Sequence, residues 1–307
     1  MGFRRHDVIC ELTIQGRQLQ VTGTLSWRGA MAGRTVQVLV PGYTYDRNYW
    51  DFPHRPDAHS YVRAAVNAGY ATVALDRLGT GASSRPTARL LTLDAHVRAL
   101  DAVLTALRSG AFADTAASPL ITVGHSLGSA VVAAHAVSAK RRAVGRPDAV
   151  ILTGFSHLPL PGTPLFFSAA WWRPPVRDHA ARLPRGYRTT IPRARRILFY
   201  SPGRVHRDVS AIDEQLKTTT AHFREAQGHG LIDVFRTRAL RTPVLVITGS
   251  RDTIACGHPA WMRVERRFYA RSADVTIASV RGAGHCLNTS PSSSRHSARS
   301  WRGATVQ

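Results

Sequence analysis

A serine flanked by glycines stands in the segment Gly124-His125-Ser126-Leu127-Gly128. The apolar run from Pro119 to Val123 precedes it, and the run of small residues from Ser129 to Ala134 follows it. This order predicts a strand, a sharp turn and a helix, with the Ser126 hydroxyl exposed at the turn beside the free N–H groups of the helix. Such a hydroxyl is a strong nucleophile only beside a base. The alternative is a glycine-rich turn that carries a surface serine.

An acidic residue and a histidine follow later strands. Asp252 comes just after the predicted strand from Val244 to Thr248, and His285 comes just after the predicted strand from Asp274 to Val280. The carboxyl ends of parallel strands share one edge of a sheet, so both side chains are expected near Ser126. A serine nucleophile needs a base, and the base needs an orienting carboxylate. The alternatives are a surface-turn role for Asp252 and an ordinary loop role for His285.

Strands alternate with helices along most of the chain. The first two strands, Val8 to Ile14 and Gln18 to Leu25, alternate apolar and polar residues and predict a hairpin. Later segments predict buried strands at Thr35 to Val40, Ala71 to Leu75 and Ala149 to Leu152, and helices at Tyr61 to Ala68, Leu90 to Leu107 and Pro259 to Ala270. This pattern indicates an α/β fold with a mostly parallel central sheet flanked by helices.

The pattern changes between residues 155 and 238, where prolines and aromatic residues are frequent and no convincing strand series occurs. Helical stretches are predicted there, notably from Val209 to Gln227. We interpret residues 155–238 as a helical cap inserted into a core formed by residues 1–154 and 239–288. The last segment, 289–307, has no apolar period and no acidic residue, so a disordered or atypical C-terminal tail is expected.

Taken together and in this order, the motifs resemble those of the α/β-hydrolase fold superfamily over residues 8 to 288. The matching segments are Leu39-Val40-Pro41-Gly42-Tyr43, Asp76 to Ser84, Gly124 to Gly128, Gly249 to Asp252 and Gly282 to His285. The aromatic loop from Tyr45 to Pro53 is similar to that of uncharacterised hydrolases of high-GC bacteria.

The resemblance implies a role for each matching residue. Ser126 would be the nucleophile, His285 the general base and then acid, and Asp252 the residue that fixes the tautomer of the imidazole. The oxyanion hole would consist of the backbone N–H groups of Tyr43 and Leu127. One position departs from the family pattern, since Pro41-Gly42 stands where the family often has His-Gly.

Aromatic residues on two segments suggest an apolar substrate pocket. The candidate pocket residues are Tyr45, Trp50, His157, Phe166 and Trp171; alternatively, the aromatic rings belong to the core. Asp213 and Asp233 are rival acids, but both fall in the predicted cap.

The expected reaction is hydrolysis of a carboxylic ester, thioester or lactone with an apolar moiety, through an acyl-enzyme. Cofactor-free perhydrolysis, C–C bond hydrolysis and non-catalytic binding of a small molecule are the alternatives. A small-molecule acyl substrate is expected, and no cofactor or metal is predicted.

The composition gives a strongly basic chain. The 307 residues include 41 Lys and Arg against 19 Asp and Glu, a formal net charge of +22. The arginines are spread along the chain without interleaved aromatic residues, so no specific nucleic-acid partner is expected, although association with DNA is an alternative. No apolar run long enough for a membrane span and no secretory signal is recognised. Three widely spaced cysteines, Cys10, Cys256 and Cys286, favour a reducing, cytoplasmic location.

Overall fold

An eight-stranded sheet forms the centre of the protein in the computed structural model. The structure describes residues 2–116, 118–138, 145–157, 166, 168–175, 183–201, 205–221, 225 and 236–290. The strands are β1 (Phe3–Ile14), β2 (Arg17–Arg28), β3 (Val36–Val40), β4 (Ala71–Asp76), β5 (Leu120–His125), β6 (Ala149–Thr153), β9 (Val244–Gly249) and β10 (Val275–Val280), with β7 (Trp172–Arg173) and β8 (Thr189–Thr190) forming a separate ribbon. The strand order in the large sheet is β1-β2-β4-β3-β5-β6-β9-β10.

The large sheet is mostly parallel, which confirms the predicted fold class. Strands β1 and β2 form the predicted antiparallel hairpin, and β2 pairs antiparallel with β4. All other neighbours in the large sheet pair in parallel. Strand β4 pairs with one edge of β3, and β5 pairs with the other edge. The order of the strands along the chain therefore changes direction across the sheet at β3. In open α/β sheets a crevice forms at such a point, beyond the carboxyl ends of the strands, and ligands bind there. Here it lies beyond the carboxyl ends of β3 and β5.

Helices cover both faces of the sheet. The described helices are α1 (Pro56–His59), α2 (Tyr61–Asn67), α3 (Leu93–Arg108), α4 (Leu127–Ser138), α5 (Ala194–Leu198), α6 (Arg207–Gln215) and α7 (Pro259–Glu265). Alternate residues of β3 enter different cores: Val38 packs in the core that contains α3 and α4, and Leu39 packs in the core that contains α2. This alternation is the period of two that a strand covered on both faces requires. In the described part of the chain, no helix is both long and apolar enough to cross a membrane.

Helix α3 shows how the sequence sets a boundary. The Thr92 side chain accepts a hydrogen bond from the N–H of Ala95, so Thr92 caps the helix, and Gly110 lies just beyond its end. The buried side chains of Leu100, Val103, Leu104 and Leu107 recur at helical spacing. They form the single apolar stripe of an amphipathic helix packed on one face.

The described parts of residues 155–238 differ from the purely helical pattern expected there. They contain the β7–β8 ribbon as well as α5 and α6. The helix predicted from Val209 to Gln227 ends at Gln215. The next residues form extended contacts instead, because Thr218 donates its backbone N–H to Thr44 and Thr220 pairs with Arg188. The cap boundaries remain a prediction, and the predicted tail from residue 291 onward lies outside the described residues.

Candidate active site

Ser126 lies in the turn that joins β5 to α4 and has a φ of +53°. This left-handed conformation is strained for serine and typically costs about 1–3 kcal/mol. Two contacts hold the turn: the Ser126 N–H donates to the Thr153 carbonyl at 2.8 Å, and the backbone of Gly128 approaches β3. A Cβ on Gly128 would lie 2.1 Å from the carbonyl oxygen of Val40, so only glycine fits at the second residue of this helix. Ser126 is partly exposed, which its predicted role as nucleophile requires.

Asp252 and His285 meet beyond the ends of β9 and β10. Oδ2 of Asp252 lies 2.9 Å from Nδ1 of His285, and the two side chains are 0% and 2% exposed. Oδ1 of Asp252 accepts hydrogen bonds from the backbone N–H groups of Ile254 and Ala255. Because Oδ2 accepts, Nδ1 of His285 carries the proton, and the lone pair is on Nε2. That is the tautomer that a general base needs.

The His285 Nε2 atom makes no hydrogen bond to Ser126 among the described residues. It is buried and has no hydrogen-bond partner among the described residues. The His285 ring instead packs near His125 and Phe199, with ring centroids 4.9 Å and 5.8 Å away. Catalytic hydrogen bonds are often long or unformed without substrate and form in the Michaelis complex. The structure therefore contains a formed Asp252–His285 pair and an unformed His285–Ser126 contact.

His125, the residue before the serine, is buried beside His285. Its ring stacks on Tyr49 at a centroid distance of 4.2 Å, and its Nδ1 lies 3.3 Å from Thr153 Oγ1. Burial, with the neighbouring charges of His285 and Arg195, lowers the pKa of His125 well below its ordinary value. A neutral ring at this position does not repel the positive charge that His285 would carry in its predicted role as general base.

The segment 41–44 lies against the serine, and we call it the oxyanion loop after the role that the family resemblance predicts for it. A Cβ on Gly42 would lie 3.0 Å from Ser126 Cβ, so the two backbones are in contact. The next backbone N–H in this segment is that of Tyr43. The N–H of Leu127 is the first of α4, where helical N–H groups lack intrahelical acceptors. These are the two donors expected from the sequence. Pro41 and Gly42 both direct their carbonyls to the Arg77 guanidinium, at 3.0 Å and 2.9 Å.

A second buried arginine holds the far end of the oxyanion loop. Arg195 of α5 donates from Nη1 to Thr44 Oγ1 at 2.6 Å and from Nε and Nη2 to both carboxylate oxygens of Asp213. The guanidinium also lies 4.1 Å from the ring centroid of Tyr45, a cation–π contact. Asp213, one of the rival acids, therefore has a structural partner, and the other, Asp233, lies outside the described residues.

Aromatic rings form a continuous cluster from the oxyanion loop to His285. We call it the aromatic cluster and define it as Tyr43, Tyr45, Phe166, Trp172 and Phe199. Ring centroids within it are 5.5 Å apart for Phe166 and Trp172, 6.1 Å for Phe166 and Phe199, and 6.1 Å for Tyr43 and Phe166. The rings are buried, and Phe199 brings the cluster into contact with His285.

The structure brings two of the five predicted pocket residues, Tyr45 and Phe166, into this cluster. Trp50 lies farther away and packs on Tyr49 and Tyr61. Trp171 is partly buried, and its neighbour Trp172 supplies the ring contacts instead.

His157 lies elsewhere. Its Nδ1 is 2.6 Å from Glu265 and its Nε2 is 2.9 Å from Thr237, so both ring nitrogens are already engaged. The residue joins the end of β6 to α7 rather than facing the serine.

Cys286, next to His285, does not compete as a nucleophile. Its Sγ lies 2.9 Å from the Tyr45 hydroxyl. Burial raises the pKa of the Cys286 thiol well above its ordinary value, and the thiolate is the reactive form. The Cys286 thiol therefore stays protonated, and Ser126 remains the predicted nucleophile at this strand edge.

Comparison with known families gives a match to the sequence model of the alpha/beta hydrolase family over residues 37–293. A comparison with curated proteins gives no match.

Solved structures resemble the chain at low sequence identity. Rv0554 from Mycobacterium tuberculosis is 18% identical with a TM-score of 0.64, and the alignment covers 91% of this chain and 92% of that one. A thermophilic esterase from Thermogutta terrifontis is 18% identical with a TM-score of 0.63 and 97% coverage of both chains. A monoacylglycerol lipase from Paleococcus ferrophilus is 16% identical with a TM-score of 0.60, covering 98% of this chain and 97% of that one. At this identity the likeness concerns the fold.

Proposed function

Because the chain belongs to the alpha/beta hydrolase family, we propose that it is a serine hydrolase that cleaves a carboxylic ester, thioester or lactone. The observation that carries the proposal is the buried pair of Asp252 and His285, 2.9 Å apart, at the same sheet edge as the strained Ser126 turn. The pair leaves a lone pair on His285 Nε2, and the turn exposes a hydroxyl beside two candidate oxyanion donors.

The acylation step follows from these positions. Ser126 Oγ attacks the carbonyl carbon of the substrate while His285 Nε2 takes the hydroxyl proton. The oxyanion accepts hydrogen bonds from the N–H groups of Tyr43 and Leu127. The C–O or C–S bond to the leaving group then breaks, and His285 returns the proton to the leaving oxygen or sulfur. Asp252 stabilises the imidazolium throughout and does not itself take the proton.

Deacylation repeats the sequence with water as the nucleophile. His285 Nε2 takes a proton from water, the hydroxide oxygen bonds to the acyl carbon, and the same two N–H groups hold the new oxyanion. The bond to Ser126 Oγ breaks, and His285 gives its proton to that oxygen. The products are the free acid and the regenerated serine. Every proton taken by His285 is returned within its half-reaction, so no external acid or oxidant is needed.

An apolar moiety on the substrate is supported by the aromatic cluster. Phe199 lies beside His285, and Phe166 and Trp172 continue the wall to Tyr43. An apolar substrate group packed against these rings would lose its own contact with water, a gain of about 25 cal/mol per Å² of apolar surface buried. The similarity to an esterase and a lipase agrees with an ester substrate.

A second candidate function is non-catalytic binding of a small apolar molecule on the same fold. It is favoured by one observation: His285 Nε2 makes no hydrogen bond to Ser126 in the described part of the chain. In that case the aromatic cluster would bind the molecule and Ser126 would stay unreactive.

The two candidates are separated by labelling and turnover. Wild-type protein is treated with a fluorophosphonate, and hydrolysis of p-nitrophenyl esters of increasing acyl length is measured in parallel. We expect one covalent label on Ser126 and turnover that Ser126→Ala abolishes. Ser138→Ala, at the other end of α4, is the matched control and should keep both the covalent label and the turnover. A folded wild-type protein that neither labels nor hydrolyses any ester would favour binding.

A further inference from the structure

Arg77 and Ser126 lie on opposite sides of the oxyanion loop. In the sheet, β3 stands between β4 and β5. The oxyanion loop follows β3, Arg77 follows β4 directly, and Ser126 follows β5 directly. The loop therefore passes between the two side chains, with Gly42 touching Ser126 on one side and accepting from Arg77 on the other.

The hydrogen bonds of Arg77 fix the orientation of a peptide group. Nη2 donates to the Gly42 carbonyl at 2.9 Å, and Nε donates to the Pro41 carbonyl at 3.0 Å. A trans peptide is planar, so the N–H of Tyr43 is directed away from the carbonyl of Gly42. Because that carbonyl is directed to the β4 side, the Tyr43 N–H is directed to the β5 side, where Ser126 lies.

Arg77 is itself held by a carboxylate from the 155–238 segment. Nη1 donates to Glu225 Oε2 at 2.9 Å, and the two side chains are 2% and 1% exposed. Glu225 also accepts from Thr220 Oγ1 and from the backbone N–H of Ala221. The planar guanidinium can serve two carbonyls and a carboxylate at once, which the single ammonium of lysine cannot do in the same directions.

We propose that Arg77 is a positioning residue that forms the oxyanion hole by orienting the Gly42–Tyr43 peptide, with Glu225 holding the guanidinium in place. The inference rests on the proposed hydrolase function. Without the arginine, the Gly42 carbonyl keeps only the longer hydrogen bond that it accepts from the backbone N–H of Tyr45, at 3.4 Å. The peptide can then rotate and present that carbonyl to the developing oxyanion, with repulsion in place of a hydrogen bond.

The test compares an ester with its thionoester, in which sulfur replaces the carbonyl oxygen. Sulfur accepts hydrogen bonds weakly, so an enzyme with a formed oxyanion hole prefers the ester. With p-nitrophenyl butyrate and its thionoester, Arg77→Lys is expected to lower kcat for the ester about 10–10²-fold, below the loss of about 10²–10³-fold for removing a donor outright. The KM should stay within about twofold, and the ester preference should fall by about tenfold.

The matched control is Arg108→Lys. Arg108 also joins a backbone carbonyl, that of Ser118, to a carboxylate, that of Asp148, but far along the chain from the oxyanion loop. This variant should keep the wild-type kcat and ester preference.

A folded Arg77→Lys enzyme that keeps its kcat, or that loses ester and thionoester turnover equally, overturns the inference. If Arg77→Lys does not fold, the double variant Arg77→Met/Glu225→Gln removes both charges together, and the same ester preference decides the outcome. Failure of the proposed function looks different: wild-type protein would then hydrolyse neither compound.

Discussion

Asp252 divides the acceptor capacity of its carboxylate between the backbone and His285. Oδ1 accepts the N–H groups of Ile254 and Ala255 at 2.8 Å and 2.9 Å, and Oδ2 faces Nδ1 of His285 at 2.9 Å. The two backbone donors fix which oxygen is left for the histidine. The orientation of the imidazole therefore depends on the turn after β9 as much as on the charge of the carboxylate.

Asp252→Asn is expected to inactivate the enzyme without unfolding it. The asparagine oxygen keeps the two backbone N–H groups, so its NH2 group must face His285. Nδ1 then has to accept, which moves the proton to Nε2 and removes the base. We expect kcat for p-nitrophenyl esters to fall about 10³–10⁴-fold with KM nearly unchanged, as loss of the correct tautomer does in other triads. Asp274→Asn, an exposed aspartate at the start of β10, serves as the control and keeps full activity.

The sequence carries the signal for some site residues and not for others. Ser126, Asp252 and His285 each follow an apolar strand pattern, so their arrival at one sheet edge could be predicted from period and order. Arg77 and Arg195 gave no such signal. Arginine side chains are usually exposed to solvent. Burial of these two depends on carboxylates 148 and 18 residues away, a pairing that only the folded chain reveals.

At the scale of elements, α5 and α6 connect the 155–238 segment to the site. Arg195 of α5 and Asp213 of α6 form a buried pair that reaches Thr44. At the end of α5, the Leu198 carbonyl accepts from Thr253 and the Phe199 carbonyl accepts from the N–H of Cys286. The end of α5 thus contacts the oxyanion loop, the turn after β9 that carries Asp252 and the turn after β10 that carries His285.

The elements of this segment were the hardest to predict. The helix predicted from Val209 to Gln227 ends at Gln215 in the structure, because Thr218 and Thr220 use their backbone groups in contacts with Thr44 and Arg188. Those partners are distant in sequence, so a local pattern of helical spacing cannot reveal them. The β-strands of the core could be predicted more closely, since their apolar runs are long and end at glycine or a polar turn residue.

Removing Asp213 is expected to destabilise the protein strongly. Asp213→Ala leaves the Arg195 guanidinium buried without a counter-charge, and breaking one side of a buried ion pair costs about 3–5 kcal/mol. The double variant Arg195→Met/Asp213→Leu removes both charges and should recover most of that loss. The free energy of unfolding is measured by urea denaturation.

The neighbouring residue provides the control for Asp213→Ala. Glu214 lies next in α6 and is more exposed, where it pairs with Lys217. Glu214→Ala should change stability by less than about 1 kcal/mol, the usual limit for exposed pairs. Equal losses in the free energy of unfolding for Asp213→Ala and Glu214→Ala would contradict the stabilising role of the buried Arg195–Asp213 pair.

At the scale of the whole molecule, the core is rich in tyrosine hydroxyls whose ionisation is disfavoured by burial. Burial raises the pKa of seven of the eight tyrosines, namely Tyr43, Tyr45, Tyr49, Tyr61, Tyr187, Tyr200 and Tyr269. A group whose folded pKa lies above its unfolded value contributes stability that is complete below the unfolded pKa and lost as the pH rises. For tyrosine the unfolded pKa is about 10, so the loss begins near that pH.

Stability should accordingly fall steeply above about pH 10, where the unfolded chain releases tyrosine protons that the folded chain retains. Each such tyrosine contributes a slope of about 1.4 kcal/mol per pH unit while only the unfolded form is ionised. The check is urea denaturation across the alkaline range with tyrosinate absorbance recorded in the same samples, and absorbance should appear together with unfolding. Tyr61→Phe removes one buried hydroxyl and should reduce the slope of stability against pH by about the contribution of one tyrosine. Tyr70→Phe, at a partly exposed tyrosine, is the matched comparison. Tyrosinate absorbance that develops fully in the folded protein would contradict the burial argument, because ionised hydroxyls could then be accommodated within the fold.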